Sequence, residues 1–332
     1  MDLRQLDHFV HVAELASFTR ASAVLGIAQP ALSRQVRQLE VELRQTLFDR
    51  TGRGVTLTDA GQRLLGHARG ILQQVERARR DMEDQRGVLG GHLAVGMPPS
   101  VSRVLTAPLV ATFRQRFPHA TVSVVEGLSA HMLEWLQMGR IDCAVVYNVA
   151  PSSTFELTPV LDEALYLVSA RRDDQEALGP PLPLASLAEF ELVIPSRPHS
   201  IRMLLEQAMA AEGNRPRVGV EIESVPAILD LVQHHGLHAV LTRNALHGHG
   251  EPQAFRVRPL VPARGAPRLL TTQFIATSAQ RPRGPLVEQG CALLRDQMLL
   301  RWSVAEDADP ALQSAAQKKK GLLGASKRGA TG

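Results

Sequence analysis

The sequence predicts an α/β chain: a small N-terminal winged helix-turn-helix domain that is mainly α, then a long linker helix, then a larger two-lobed α/β part. Three observations carry this expectation. Apolar residues recur at helical spacing from Leu3 to Leu43, broken once at Gly26. A narrow stripe of apolar residues continues from Leu64 to Met82. From His92 onward short apolar runs alternate with amphipathic ones, the rhythm of β/α units.

Leu3, Leu6, Phe9, Val10 and Ala13 mark the inner stripe of a first helix. Ser17 is a natural cap for a second, whose inner face is read as Phe18, Ala21, Val24 and Leu25. Gly26 can take the positive φ of a tight turn, and Ile27 can plug the space between helices. Pro30 suits the first turn of a third helix, where its missing N–H loses nothing. Leu32, Val36, Leu39 and Leu43 form its buried stripe. Its other face shows Ser33, Arg34, Arg37 and Gln38.

Leu47-Phe48 and Val55 to Leu57 are short β-prone runs around the turn Thr51-Gly52-Arg53-Gly54, a hairpin that would carry Arg50 and Arg53 as a basic wing. Thr58 then caps a long helix. In it Leu64, Ala68, Ile71, Val75, Ala78 and Met82 form a heptad seam, read as a dimerisation face; packing on its own chain is the alternative. Gly87 to Gly91 reads as a linker. The β/α pattern then divides into lobe I, about 90–162 with 269–302, and lobe II, about 163–268. Its first units are read as a doubly wound parallel sheet. Residues 303–332, with Gly and clustered Lys, read as a disordered basic tail. The boundaries expected are thus 1–60 for the reading domain, 61–89 for the linker helix and 90–302 for the lobes.

Apolar residues make up 44% and charged residues 21% of the 332 positions, enough for a core in both parts. The net charge of +4 does not by itself indicate nucleic acid. Basic residues are concentrated, however: from Ser17 to Thr58 they are Arg20, Arg34, Arg37, Arg44, Arg50 and Arg53. Cys143 and Cys291 suit neither a disulfide framework nor a zinc site. The N-terminus does not resemble a signal peptide and no run approaches a membrane span, so a cytoplasmic protein without membrane association is expected. His234, His235, His238, His247 and His249 form the one histidine cluster, without the Cys or carboxylate pattern that completes a metal site. No nucleophile-elbow, metalloprotease or phosphate-loop motif is present. Neither an enzyme nor a resident cofactor is expected.

A helix in the major groove presents its N-terminal residues to base edges. Here these are Gln29, Pro30, Ser33 and Arg34, with Arg37 one turn on. Gln pairs with adenine, Arg with guanine, and Pro can touch a thymine methyl. Thr19 and Thr58 stand at helix starts suited to phosphates. In the lobes, ligands of open β/α sheets sit where strands give way to helices. Ser100, Ser129, Ser196 and Ser224 each stand at such a place, with Arg197 and Thr242 as added candidates. Each serine is equally suited to capping alone. A small organic anion fits such helix starts.

The stretch LDHFVHVAELASFTRASAVLGIAQPALSRQVRQLEVELRQTLFDR, with TGRGVTLTDAG after it, resembles the LysR-type transcriptional regulators. MPPSVSRVLTAPLVATFRQRFP and IDCAVVYN are similar to the branch of nitrogen-assimilation-control-like regulators. The resemblance covers residues 1–302. It implies a periplasmic-binding-protein-like effector domain, a dimerising linker helix and a homotetramer built as a dimer of dimers. It further implies base reading by Gln29, Pro30, Ser33 and Arg34, a wing contact by Arg53, and a small-molecule effector near Ser100, Ser129 and Ser196. The partners expected are double-stranded DNA, the effector, further copies of the chain and RNA polymerase. Two other readings stay open: a vestigial ligand domain controlled by partner proteins, and a ligand-binding or enzymatic protein that carries a helix-turn-helix.

Overall fold

The computed structural model describes residues 1–51, 54–83, 89–246 and 252–306. Three helices open the chain: α1 (Leu3–Leu15), α2 (Phe18–Leu25) and α3 (Gln29–Leu43). Asp2 caps α1 by accepting from the Gln5 N–H, while the Gln5 side chain accepts from the Asp2 N–H. Ser17 caps α2, and Gly26 ends it at φ 65°. The hairpin strands β1 (Phe48–Thr51) and β2 (Gly54–Leu57) pair antiparallel. The Glu40 carboxylate of α3 accepts from the Leu47 and Phe48 N–H groups, fixing the hairpin to the reading helix. Phe9, Phe18 and Phe48 meet at centroid distances of 5.3 and 5.8 Å and form the centre of this core.

Two residues assigned to inner faces lie outside. Val24 is 64% exposed and Leu3 is 42% exposed. In both cases the helix is narrower in contact than its apolar stripe, because a three-helix domain this small covers only part of each helix surface.

Helix α4 (Asp59–Glu83) carries the heptad seam. Its first half is engaged within the chain: Ala68 is fully buried in the N-terminal core, and Leu64 packs against it. Ile71, by contrast, is exposed. The start of the seam is thus covered by its own chain, as the alternative reading had it, while Ile71 is not. Side-chain placement at Met82 lies outside the described residues.

The remaining strands are β3 (Gly91–Met97), β4 (Ala120–Glu126), β5 (Cys143–Tyr147), β6 (Phe155–Ala170), β7 (Leu182–Pro183), β8 (Glu191–Ile194), β9 (Arg217–Glu221), β10 (Ala239–Thr242), β11 (Phe255–Val261) and β12 (Leu270–Ser278). The helices are α5 (Pro99–Arg116), α6 (Ser129–Met138), α7 (Ser200–Ala211), α8 (Val225–His235) and α9 (Pro285–Glu306). In the larger sheet the order is β4-β3-β5-β12-β6-β11-β7, with β10 also on β6. β3, β4 and β5 are parallel, whereas β12 runs antiparallel to both β5 and β6. The first units thus form the parallel sheet expected of them, and β12 and β6 extend it into a mixed one. The eight residues Phe155 to Asp162 belong to β6 and were not read as strand; Pro159 and their mixed polarity obscure the alternation.

β6 passes from one lobe to the other. Phe155 to Ala164 pair with β12, and Leu165 to Ala170 pair with β10 and β11. α5 and α9 cover one face of the lobe I sheet around Phe113, Leu294 and Trp302. α6 covers the other around Met132 and Leu136. In lobe II, α7 and α8 pack on opposite sides of the strands. Parallel β8 and β9 join this layer where the Val193 N–H donates to the His238 carbonyl. α9 continues past Trp302 to Glu306, so the first residues assigned to the tail are helical. The rest of the tail lies outside the described residues.

Candidate nucleic-acid interface and inter-lobe cleft

The turn between α2 and α3 is built from backbone. Gly26 and Ile27 both donate to the Ser22 carbonyl, which swings the chain into α3. The N-cap of α3 is Ala28, with no side-chain cap, and Pro30 lies in the first turn. Pro30 has no N–H and the Ala31 N–H turns to the Ala28 carbonyl, so the start of the helix offers its positive dipole end and its side chains rather than a row of free N–H groups. Gln29, Pro30, Arg34, Arg37 and Gln38 are exposed, and Ser33 is half-buried. Leu32, Val36 and Leu39 anchor the opposite side. Arg34, Arg37 and Gln38 line a shallow depression together with Val41 and Glu42.

Thr19 is exposed in the first turn of α2. Thr58 does cap α4: its hydroxyl donates to the Thr46 carbonyl at 2.7 Å and accepts from the Gly61 N–H at 3.0 Å. Arg53 lies outside the described residues. Arg20 is not in the candidate set; its guanidinium donates to the Leu15 carbonyl at 2.5 Å.

In lobe I, α5 and α6 both start without a side-chain cap, after Pro98 and Leu128. Tyr147, at the end of β5, joins the two starts. Its N–H donates to the Ser129 hydroxyl at 3.0 Å, and the Ser100 side chain lies near enough to its phenol to act on it. Burial, helped by the negative charge of Glu163, holds the phenol well above its usual range, while the neighbouring Ser100 opposes them. Ser100 and Ser129 are thereby brought to one place.

The lobe II candidates are less gathered. Ser196 is half-buried after β8. Arg197 is exposed and ion-paired to Glu206 at 2.8 Å. The cap of α7 is His199, which accepts from the Ile201 N–H; burial lowers its pKa, with Glu223 opposing. Ser224 is exposed and caps α8 through the Ala227 N–H. Thr242 is buried at the end of β10, paired with Leu165 on the crossing strand.

Sequence reasoning missed the polar cluster at the lobe crossing. Glu163, 5% exposed, accepts from Asn244 Nδ2 at 2.6 Å and from Gln273 Nε2. The available signal was one acid at the head of an otherwise apolar strand, Glu163 before Ala164-Leu165-Tyr166-Leu167. Among the described residues no group of three or more His, Cys, Asp or Glu could hold a metal ion. His234 and His235 are exposed at the end of α8. His238 instead hydrogen-bonds Ser169 at 2.8 Å and meets the Phe190 ring edge-on. His247 and His249 lie outside the described residues. Among the described residues no helix is long and apolar enough to cross a membrane.

Comparisons with known proteins agree with this arrangement. Residues 3–62 match the family model "Bacterial regulatory helix-turn-helix protein, lysR family", and residues 86–299 match the "LysR substrate binding domain". The nitrogen assimilation regulatory protein nac of Klebsiella aerogenes is 36% identical over 229 residues, covering 69% of this chain and 74% of that protein. The transcriptional dual regulator OxyR of Escherichia coli is 33% identical over 210 residues, covering 63% and 67%. Among solved structures, the LysR family regulator CbnR superposes with a TM-score of 0.66 at 23% identity, over 90% of this chain and 99% of that one. A helix-turn-helix at residues 3–62, followed by a two-lobed α/β domain matching the substrate-binding model, places this chain in the LysR family of bacterial DNA-binding transcriptional regulators.

Proposed function

We propose that this regulator reads promoter DNA through Gln29, Pro30, Ser33, Arg34 and Arg37, and that a small molecule held between the lobes alters how it does so. The uncapped start of α3 supports the first half, since its exposed side chains are those that pair with base edges. Thr19, Thr58 and Arg53 act on phosphates and fix the register of the helix on the duplex.

The joining of two uncapped helix starts through Tyr147 supports the second half. Ser100 and Ser129 hold the acidic end of the effector, and Ser196 and Thr242 face it from lobe II. Arg197 and Ser224 have subordinate parts, being engaged in an ion pair and a cap. The effector favours one lobe arrangement through its differential affinity, and paired copies then present their reading helices at a different spacing. RNA polymerase contact follows from that change. The chain acts in the cytoplasm as a homotetramer and performs no catalysis.

A promoter gel shift with Gln29→Ala and Arg34→Ala, run with and without candidate effectors, tests both halves. Binding unchanged in both variants would refute the groove assignment.

A further inference from the structure

Helix α6 is tied to the cleft at one end and to the linker helix at the other. At its start the Ser129 hydroxyl takes the Tyr147 N–H at 3.0 Å. Its 10 residues end at Met138, with Gly139 as a left-handed cap at φ 75°, so its ends stand about 15 Å apart. There α4 lies across it. Gly70 leaves no room for a Cβ against the Met138 carbonyl, and Gly66 lies beside Met138 Sδ. A Cβ at Gly139 would meet Gln74 Nε2 at 2.9 Å. Arg281, from the segment after β12, donates to the Leu136 carbonyl in the last turn of α6. Where backbone rests on backbone, no side chain can rotate to absorb a displacement, and close packing passes it on.

The same stretch of α4 is fixed to the reading domain. Arg69, next to Gly70, pairs with Glu14 of α1 through Nε at 3.0 Å and Nη2 at 2.8 Å. Ala68 is enclosed in the core of that domain. On its other side α6 rests on small residues. Ala94, Ala144 and Ala276 lie in the sheet beneath Met132 and Leu136, and Gly96 lies under Met132 Sδ. Shear between packed elements proceeds by small sliding steps over such a floor.

We propose that α6 is the strut through which the cleft acts on the reading domain: a change at Ser129 moves the helix over the sheet, and its Met138–Gly139 end carries the movement to Gly66 and Gly70 of α4. The inference rests on the effector reading of the cleft and supplies its route to DNA.

The chain has two tryptophans, and Trp135 lies on the strut, with the Arg140 guanidinium 4.3 Å from its ring. Trp302→Phe leaves it as the sole tryptophan. Coupling between two sites is reciprocal, so DNA on the reading helix must act back on α6. The full-length Trp302→Phe protein is titrated with a mixed-sequence duplex. The expected result is a saturable change in Trp135 emission, which Gly70→Ala abolishes while still binding the duplex. Should that variant fail to fold, Gln74→Ala, at an exposed position of α4, is the second variant and should diminish the change. For the cleft end, duplex affinity is measured in a cycle of Ser129→Ala with Gly70→Ala. The two should be non-additive, with Ser129→Ala shifting affinity by about fivefold or more only where Gly70 is present. Emission that DNA leaves unchanged, a change that persists in both α4 variants, or additive effects in the cycle would overturn the strut. No effector enters these measurements. Non-additive effects alongside a failed effector search would therefore keep the strut and overturn the effector reading.

Discussion

Gly70 of α4 lies directly against Met138 at the end of α6: a Cβ on Gly70 would come within 2.1 Å of the Met138 carbonyl oxygen. The linker helix thus docks on lobe I through a face without side chains. Gly66, one turn earlier, leaves ordinary contact distance to Met138 Sδ, at 3.4 Å. The two positions should therefore respond oppositely to alanine. Gly66→Ala should stabilise the chain by up to about 1 kcal/mol, the usual gain within a helix. Gly70→Ala should destabilise it by roughly 1–3 kcal/mol through overpacking against backbone. Thermal melts of the two variants decide this, and equal shifts would mean that α4 does not rest on α6.

The reading helix can be separated from the phosphate contacts by salt. Gln29→Ala and Arg34→Ala should each cost about 1–3 kcal/mol of promoter affinity and relax preference at one base position. Arg53→Ala should weaken all sequences alike and reduce the salt slope by about one. Gel shifts over a salt series with promoter and scrambled DNA would show the difference. A uniform loss for Arg34→Ala would move that residue to the phosphates.

The N-terminal domain was legible in the sequence because its determinants are local. Ser17, Gly26 and Pro30 mark cap, turn and helix start, and the structure places them so. Burial was less legible: Val24 and Ala68 have similar helical settings, but only the neighbouring elements decide that one is exposed and the other enclosed. In the lobes the β/α rhythm carried the architecture. The crossing strand did not show itself, since Phe155 to Asp162 gain their partner from β12, more than a hundred residues later. The serines at helix starts were visible as residue types. That Tyr147 joins two of them, and that Glu163 recruits Asn244 and Gln273, depends on pairing across the sheet that no local pattern encodes.

Glu206 sits between Arg197 and Arg202, and the two arginines should differ sharply in weight. Arg202 is 7% exposed; it pairs with Glu206 and, at 3.2 Å, with Glu221, and it donates to the Pro195 carbonyl. Burial would raise the Glu206 pKa, but hydrogen bonds from Arg202 and Arg197 outweigh it and hold the carboxyl below its usual value. Arg202→Met should lose about 1–3 kcal/mol, because it takes a donor from the buried Pro195 carbonyl and leaves Glu206 with Arg197 alone. Arg197→Met, removing an exposed partner, should lose about 0–1 kcal/mol. Denaturant titration of both variants checks the contrast, and comparable losses would contradict this division.

Acid should weaken the N-terminal domain through His8. Burial lowers its pKa from the ordinary 6.5; Asp7 and Asp2 oppose the shift, and Arg4 and His11 add to it. Its Nδ1 is buried without a hydrogen-bond partner among the described residues. The unfolded chain consequently takes up a proton on this ring before the folded chain does. Stability is then fully present above the unfolded value of about 6.5 and declines as the pH falls below it, until the folded ring also protonates. His199 and His238 shift in the same direction through burial and add to the acid loss from lobe II. His8→Leu keeps the volume apolar and removes the group that binds the proton. Melting temperatures from pH 7.5 down to 5 should fall less steeply in this variant, with the difference confined to the range below about 6.5. Parallel curves for the two proteins would show that His8 takes up its proton equally in both states, and that burial does not govern it.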